Sequence, residues 1–149
     1  KCTYADLGRR EVEDQISFAR FLARQEFVDA ERIGIYGWSF GGFMALNCAL
    51  KGDGIFKMAI AVAPVTSWRY YDTIYTEIYN DLPQDNPKGY DDNSPINFAH
   101  RYAAKAEEMA AVEPDFTRKA ELHQIAKNLR HAPEYGAANF YEVLVKCFT

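Results

Sequence analysis

The segment from Ile33 to Gly42, IGIYGWSFGG, constrains the fold of this chain more than any other part of it. It begins as a short apolar strand, continues into Gly-x-Ser-x-Gly around Ser39, and leads into an apolar, helix-like stretch that ends near Lys51. This order of strand, serine and helix predicts a nucleophile elbow, a tight turn that exposes a serine hydroxyl above a sheet. The alternative is a glycine-rich turn with a structural serine, and the flanking strand and helix patterns favour the elbow.

The elbow prediction assigns a role to each small residue of the motif. Crowding at a strained turn predicts that Gly37 and Gly41 must lack a Cβ, and Gly42 completes the motif. The helix that follows is expected to aim its N-terminus at the serine. Ser39 is then the predicted nucleophile, and the backbone N–H of Phe40 is the predicted oxyanion donor.

Size and composition predict one modest globular domain. The chain has 149 residues, of which 48% are apolar and 15% aromatic. The net charge of −4 comes without a basic block, which argues against nucleic acid as a partner. No apolar run reaches transmembrane length and no signal peptide is visible. Lys1 opens in the middle of a pattern, so we expect the chain to be a piece of a longer protein.

The patterns around the elbow predict the centre of an α/β sheet. A helix is expected over residues 9–25, because its apolar residues recur on one face. The run from Arg32 to Tyr36 is strand-like, and Gly52 and Gly54 break the helix after the elbow. Residues 58–63 read as a buried parallel strand that Pro64 ends. The order helix, strand, elbow, helix and strand defines the α/β class.

The last third of the chain has a different pattern. A loop is expected over the stretch that holds Pro83, Pro87, Gly89 and Pro95. Helical spacing then covers residues 100–112 and 116–130, and a third helix is expected near Asn139. No strand pattern is found there. The predicted architecture is therefore a partial α/β-hydrolase core, residues 1–98, followed by an all-helical tail, residues 99–149.

The cysteines and histidines do not predict a metal site. Cys2, Cys48 and Cys147 lack metal-ligand spacing, and Cys48 in its apolar helix is expected to be a buried thiol. His123 and His131 are eight residues apart, and no third ligand accompanies them.

Residues 1 to about 98 resemble the catalytic domain of the dipeptidyl peptidase IV group of the prolyl oligopeptidase family. Its elbow motif, Gly-Trp-Ser-Tyr-Gly-Gly, is similar to the run from Gly37 to Gly42, where Phe40 replaces the more usual tyrosine. Further similarities are Leu7-Gly8, Glu13-Asp14-Gln15, the run from Val28 to Ile35, Ala63-Pro64-Val65, Trp68, Tyr70-Tyr71-Asp72 and Tyr75-Thr76-Glu77.

This resemblance implies a serine exopeptidase that needs no cofactor. The parent protein would acylate Ser39 with a dipeptide ending in proline or alanine, and then hydrolyse the ester. Four residues would line the pocket for the residue before the scissile bond: Val65, Trp68, Tyr71 and Tyr75. An aromatic slot suits a pyrrolidine ring, although ordinary packing is the alternative for these tyrosines. The family clamps the free amine of its peptide substrate with acidic residues of a propeller domain that this chain lacks, and the resemblance implies an extracytoplasmic or membrane-associated location, which is usual for relatives with this activity.

Residues from about 100 to 149 resemble a helical stretch of glycyl radical enzymes, the pyruvate formate-lyase family. The similarity covers Arg101-Tyr102-Ala103, residues 105–110, 118–122, Ile125-Ala126, Pro133 and residues 138–144. The alternative is a set of generic amphipathic helices. Neither the radical glycine motif nor the catalytic cysteine motif is present, so no catalytic residue is transferred to Cys147. A junction near Ala99 has three explanations: a gene-model or assembly artefact, an engineered fusion, or coordinates assembled from a mixture.

The triad of the first family is incomplete in this sequence. The family order is Ser, Asp, His, and neither later motif follows Ser39. The histidines are His100, His123 and His131, all in the helical tail, and we do not expect an adventitious Ser39–His pair oriented by Asp115 or Glu134. We therefore expect the chain alone to lack dipeptidyl peptidase activity. The alternatives are a non-catalytic fragment, whose open sheet edge recruits a second copy, and a radical lyase completed by another chain.

Overall fold

The computed structural model describes residues 3–132 and 134–135, and its secondary structure is mixed α/β. The helices are α1 (Arg9–Leu22), α2 (Phe40–Lys51), α3 (Thr73–Asn80), α4 (Pro87–Asp91), α5 (Pro95–Val112) and α6 (Phe116–His131). The strands are β1 (Gly34–Trp38) and β2 (Met58–Val62). Two short 3₁₀ turns, Ala30–Arg32 and Trp68–Tyr70, lie before β1 and α3.

The two strands and α2 form one βαβ unit. β1 and β2 are parallel, with Gly34 opposite Met58 and Trp38 opposite Val62. Helix α2 packs against both strands, as a crossover helix must. β1 begins at Gly34 rather than at the predicted Arg32, because the preceding residues form a 3₁₀ turn that the Asp29 carboxylate caps.

The prediction that the second strand is buried is wrong, because only one face of the sheet is covered within the described residues. Ala59 is buried beneath the helices, whereas Met58 and Ile60 on the opposite face are exposed. Tyr36 and Trp38 of β1 lie on this same open face and are 64% and 66% exposed. Helices α1 and α2 pack on the other face, and alternate side chains of a strand point to opposite faces.

Helix α1 covers α2 through a small apolar core. Val12 and Ile16 of α1 are buried against Cys48 of α2, with Ile35 and Met44 packed beside them. Cys48 is fully buried, as expected. Burial raises the pKa of its thiol from 9.0 to about 11.

The segment after β2 is more helical than predicted. Helix α4 lies inside the expected loop, because Asn86 caps its N-terminus (Gly89 N–H to Asn86 Oδ1, 3.1 Å) and Pro87 occupies a first-turn position. Helix α5 begins at Pro95, before the predicted His100, since proline is well suited to a first helical turn. At the other end of the chain α1 stops at Leu22, shorter than the predicted Gln25.

Helices α5 and α6 form a helical hairpin with its own core. The predicted helical tail is therefore confirmed for the residues that the structure describes. A stripe of alanines on α5 meets Leu122, Ala126 and Leu129 of α6: Ala99, Ala103, Ala106 and Ala110. Asp115 caps α6 by accepting a hydrogen bond from the Arg118 N–H (2.7 Å). The helix predicted near Asn139 lies outside the described residues. Within the described part of the chain, none of the helices is long and apolar enough to cross a membrane.

Candidate active site

Ser39 lies in a strained turn between β1 and α2. Its backbone has φ 55° and ψ −116°, outside the regions that side-chain-bearing residues favour. The Ser39 N–H donates to the Val62 carbonyl (2.9 Å), which ties the turn to the end of β2. The residue is exposed, and its hydroxyl forms no hydrogen bond within the described chain. The turn therefore presents an unpaired serine hydroxyl at the carboxyl end of the parallel strands.

The three glycines of the motif differ in the space around them: a Cβ is excluded at Gly37, tightly confined at Gly42 and free of contact at Gly41. A Cβ on Gly37 would overlap the Gly41 carbonyl and lie 2.8 Å from the Gly41 Cα. A Cβ on Gly42 would lie 3.0 Å from the Val62 carbonyl oxygen. A Cβ on Gly41 meets nothing within 4 Å, so the crowding expected at Gly41 is wrong. The close contact in this turn is therefore between the Gly41 backbone and the Cβ position of Gly37.

The first turn of α2 places backbone donors beside Ser39. Phe40 is the first residue of α2, and the first amides of a helix have no intrahelical acceptor. Such N–H groups, together with the positive end of the helix dipole, can stabilise a developing oxyanion. The Phe40 amide is therefore positioned as the sequence predicts, and its role stays a prediction.

An aromatic cluster extends from the elbow to helix α3. The Phe40 ring stacks on Phe43 (centroids 5.5 Å apart) and lies 6.3 Å from Trp68. Trp68 stacks on Tyr75 (6.2 Å, 16° between planes), and Tyr71 meets Trp68 edge-on at 6.1 Å. The cluster thus brings the predicted pocket residues next to the elbow.

The members of this cluster differ in exposure. Trp68 and Val65 are buried, and both belong to a core with Phe43. Tyr71 is 39% exposed, so its ring faces solvent on one side. Burial raises the pKa of the Tyr75 hydroxyl, and the neighbouring Tyr79 and Tyr71 act in the same direction. Tyr75 therefore stays neutral across the physiological range.

Ser94 holds the buried end of the cluster in place. Its hydroxyl accepts a hydrogen bond from the Trp68 backbone N–H (3.1 Å) and donates to the Tyr90 carbonyl. Sequence reasoning missed Ser94, Tyr90 and Phe43. The serine before Pro95 marks a helix start, but nothing in its sequence context indicates a contact with Trp68.

The interactions of the histidines do not involve Ser39. His100 Nε2 is 3.7 Å from the Glu134 carboxylate, and the His131 ring stacks on Tyr135 (5.4 Å). His123 is exposed on α6. None of the three forms a hydrogen bond with Ser39, so the Ser39–His pair oriented by Asp115 or Glu134 does not form in the described residues.

The described residues also include no candidate metal site. No group of three or more His, Cys, Asp or Glu side chains able to hold a metal ion occurs in the part of the chain that the structure describes.

A serine held at positive φ between a parallel strand and a helix, with helical amides beside its hydroxyl, defines a site of the serine hydrolase type. The sequence profile of the prolyl oligopeptidase family matches residues 1–112, and the chain belongs to this family of serine peptidases. A second profile, pyruvate formate lyase-like, matches residues 92–145. The two matches overlap at residues 92–112, a stretch that includes all of α5.

Individual relatives agree with the family assignment. "Probable dipeptidyl-aminopeptidase B" of Pyrenophora teres is 51% identical over 94 residues, which is 62% of this chain. The protein of the same name from Paracoccidioides lutzii is 56% identical over 87 residues. The crystal structure of Porphyromonas gingivalis dipeptidyl peptidase 4 matches 68% of this chain, with 46% identity and a TM-score of 0.66. The chain spans 10% of the length of these curated relatives and 14% of that structure.

Proposed function

We propose that this chain is the nucleophile-bearing segment of a dipeptidyl peptidase with a partial α/β-hydrolase core. Ser39 is the nucleophile, and the Phe40 N–H contributes one donor to the oxyanion hole. The observation that carries the proposal is the strained, exposed Ser39 at φ 55° beside the aromatic cluster. A backbone strain of roughly 1–3 kcal/mol is retained where the surrounding structure enforces it, as at functional turns.

The aromatic cluster supports a preference for dipeptides with proline or alanine before the scissile bond. Val65, Trp68, Tyr71 and Tyr75 converge at centroid distances of 5.5 to 6.2 Å among the three rings. Tyr71 is 39% exposed and Tyr75 is partly exposed, so the cluster presents aromatic surface that a pyrrolidine ring can cover by apolar burial and stacking. The peptide substrate, the propeller and the rest of the hydrolase domain are the partners of the parent protein in this proposal.

A chimera tests this proposal. Residues 1–98 of the chain would replace the matching segment of Porphyromonas gingivalis dipeptidyl peptidase 4, which supplies the rest of a catalytic domain. We expect hydrolysis of Gly-Pro and Gly-Ala p-nitroanilides, little hydrolysis of Gly-Leu p-nitroanilide, and loss of activity in Ser39→Ala. A folded chimera that is inactive, or that prefers Gly-Leu, contradicts the proposal.

The chain by itself is proposed to be inactive toward such substrates. A serine hydroxyl is a weak nucleophile until a base takes its proton. The Ser39 hydroxyl has no hydrogen-bond partner in the described residues, and each histidine engages other groups or solvent. Without a base, the elbow can keep its conformation, but the acylation of Ser39 becomes very slow.

The second candidate function is a non-catalytic fragment that associates with a copy of itself. The open sheet face supports it: Tyr36, Trp38, Met58 and Ile60 are all exposed there. Apolar faces and unpaired strand edges of this kind favour association. Sedimentation that depends on concentration, and that Trp38→Lys abolishes, would support this candidate; a monomer at all concentrations would exclude it.

A further inference from the structure

The turn between α2 and β2 contains the single aspartate–glycine step of the sequence, Asp53–Gly54. The Ile55 N–H donates to the Gly52 carbonyl (3.1 Å), which closes a β-turn around this pair. Asp53 has φ 51° and Gly54 has φ 74°, and positive φ at both central residues is the pattern of a type I′ turn. Both residues are exposed, so the turn presents their shared peptide bond to solvent.

The backbone nitrogen of Gly54 is uncommitted. Its N–H donates no hydrogen bond among the described residues. Gly54 has no side chain, and even an added Cβ would meet nothing within 4 Å, so the surroundings of this residue are uncrowded. The nitrogen therefore gives up no hydrogen bond if it forms a new covalent bond.

The Asp53 carboxyl group is also accessible. Its side chain is 84% exposed, and the carboxylate accepts a hydrogen bond from Arg20 of α1 (Nη2 to Oδ2, 3.0 Å). An exposed ion pair of this kind is weak, so it does not lock the carboxyl group in one position. Because Asp53 Cγ and Gly54 N belong to adjacent residues, a bond between them closes a five-membered ring, and this proximity favours the reaction.

Asp85 provides a comparison within the same chain. It is exposed, as Asp53 is, but the next residue is Asn86, which carries a side chain. The Asn86 N–H donates to the Leu82 carbonyl (3.0 Å), so the nitrogen that would attack Asp85 is already engaged. The two aspartates therefore share their exposure and differ in the nitrogen that follows.

We propose that Asp53 is a site of isoaspartate formation in the folded chain. The Gly54 nitrogen attacks Cγ of the protonated Asp53 carboxyl group and forms a C–N bond. The amide proton and the carboxyl hydroxyl leave together as water, and a cyclic succinimide remains. Water then cleaves the bond between the Asp53 carbonyl carbon and the Gly54 nitrogen, so that the chain continues through Asp53 Cβ and Cγ and the α-carboxylate becomes free.

This change would alter the connection between α2 and β2. The isoaspartyl link adds one carbon to the backbone of the turn and moves the carboxylate away from Arg20. The ion pair between α1 and the turn is then lost, and the Ile55 to Gly52 hydrogen bond must span a longer loop. The free α-carboxylate is the group that isoaspartyl methyltransferases modify, so the product is a substrate for that class of enzyme. The site does not rest on the proposed peptidase function.

Ageing of the purified chain in neutral buffer tests the proposal directly. Protein isoaspartyl methyltransferase and methyl-labelled S-adenosylmethionine mark isoaspartyl carboxylates, and trypsin releases residues 52–57 as a peptide with Asp53 as its one aspartate. Electron-transfer fragmentation then distinguishes isoaspartate from aspartate at each position. The label should increase with time at Asp53 and stay at its starting level at Asp85. No increase at Asp53, or equal increases at the two positions, would overturn the proposal.

Matched variants isolate the chemistry. Asp53→Glu keeps the charge but requires a larger ring, so labelling of the peptide 52–57 should be lost. Asp85→Glu makes the same change at the comparison site and should leave the labelling at Asp53 unchanged. Labelling of that peptide that persists in Asp53→Glu would overturn the assignment. Labelling of the parent chain that appears only in guanidinium chloride would overturn the claim that the folded turn reacts.

Discussion

The glycines around Ser39 occupy positions with different steric requirements. The backbone of Ser39 is at positive φ, and the neighbouring chain passes so close that Gly37 cannot carry a side chain. Gly41 shares the motif but has open space at its Cβ position. Two glycines of one Gly-x-Ser-x-Gly motif should therefore respond differently to the same substitution.

The pair Gly37→Ala and Gly41→Ala measures this difference. Gly37→Ala forces the chain away from Gly41 and should lower the free energy of unfolding by at least about 2 kcal/mol, as overpacking does. Gly41→Ala lies in a helix without steric contact and should change it by less than about 1 kcal/mol. Urea denaturation of both variants checks the prediction, and equal losses would contradict it.

Cys48 gives a prediction for pH dependence. Burial raises the pKa of its thiol from 9.0 to about 11, so the unfolded chain loses this proton at a lower pH than the folded chain does. Stability from the buried thiol is then complete below pH 9 and declines as the pH rises toward 11. The decline has a slope of up to about 1.4 kcal/mol per pH unit.

Cys48→Ala isolates this contribution from other groups that titrate in the same range. The difference in unfolding free energy between the parent chain and Cys48→Ala should shrink by about 1 kcal/mol from pH 8 to pH 10. Urea denaturation at the two pH values measures it. A difference that stays constant would show that the thiol titrates normally in the folded chain.

Among the elements, α5 does more than begin the helical tail. Its first turn holds the segment that carries Trp68, because Ser94 bonds the Trp68 N–H and the Ile96 N–H donates to the Thr66 carbonyl (3.1 Å). The helix then runs without a break past residue 98, where the two sequence resemblances meet. The start of α5 is thus part of the aromatic site.

Ser94→Ala tests this link. The substitution leaves the buried Trp68 N–H without an acceptor, which should cost roughly 1–3 kcal/mol of stability. Ser17→Ala is a control, because the Ser17 hydroxyl bonds an exposed carbonyl within its own helix. Urea denaturation of both variants, followed by tryptophan fluorescence, compares them. Similar small effects of the two substitutions would contradict the account.

Short sequence patterns predicted which helices and strands form, but they predicted less well where each element begins and which faces are buried. The elbow depends on a short motif, and the hairpin of α5 and α6 depends on helical spacing. Both signals involve residues that are close together in the sequence, so both elements could be predicted from it. The start of α5 at Pro95 was missed because proline suits both a loop and a first helical turn. The exposure of Met58 and Ile60 was missed because an apolar strand pattern does not say whether both faces are covered.

At the scale of the whole molecule, the structure joins an α/β unit to a helical hairpin. The family profiles overlap at residues 92–112, and Ser94 and Ile96 connect the start of α5 to the site. These contacts predict that the hairpin and the α/β unit unfold together. The candidate pocket residues were predictable from the resemblance, whereas the contact of Ser94 with Trp68 was found only in the structure.

Leu122→Ala tests this cooperativity. Removal of a buried side chain from the hairpin core should cost about 2–4 kcal/mol, while Val112→Ala, at a residue that is 82% exposed, should change stability by less than about 0.5 kcal/mol. The unfolding midpoints that far-ultraviolet circular dichroism and tryptophan fluorescence report should fall to the same lower value in Leu122→Ala. Separate midpoints for the two signals would contradict a single cooperative unit.

The central claim is that the chain holds a formed elbow without the base that activates its serine. Hydrolysis of Gly-Pro p-nitroanilide by the purified chain, compared with Ser39→Ala, tests it most directly. The account predicts that the two proteins are indistinguishable, because no histidine forms a hydrogen bond with the Ser39 hydroxyl within the described residues. Hydrolysis by the parent chain that Ser39→Ala abolishes would contradict it.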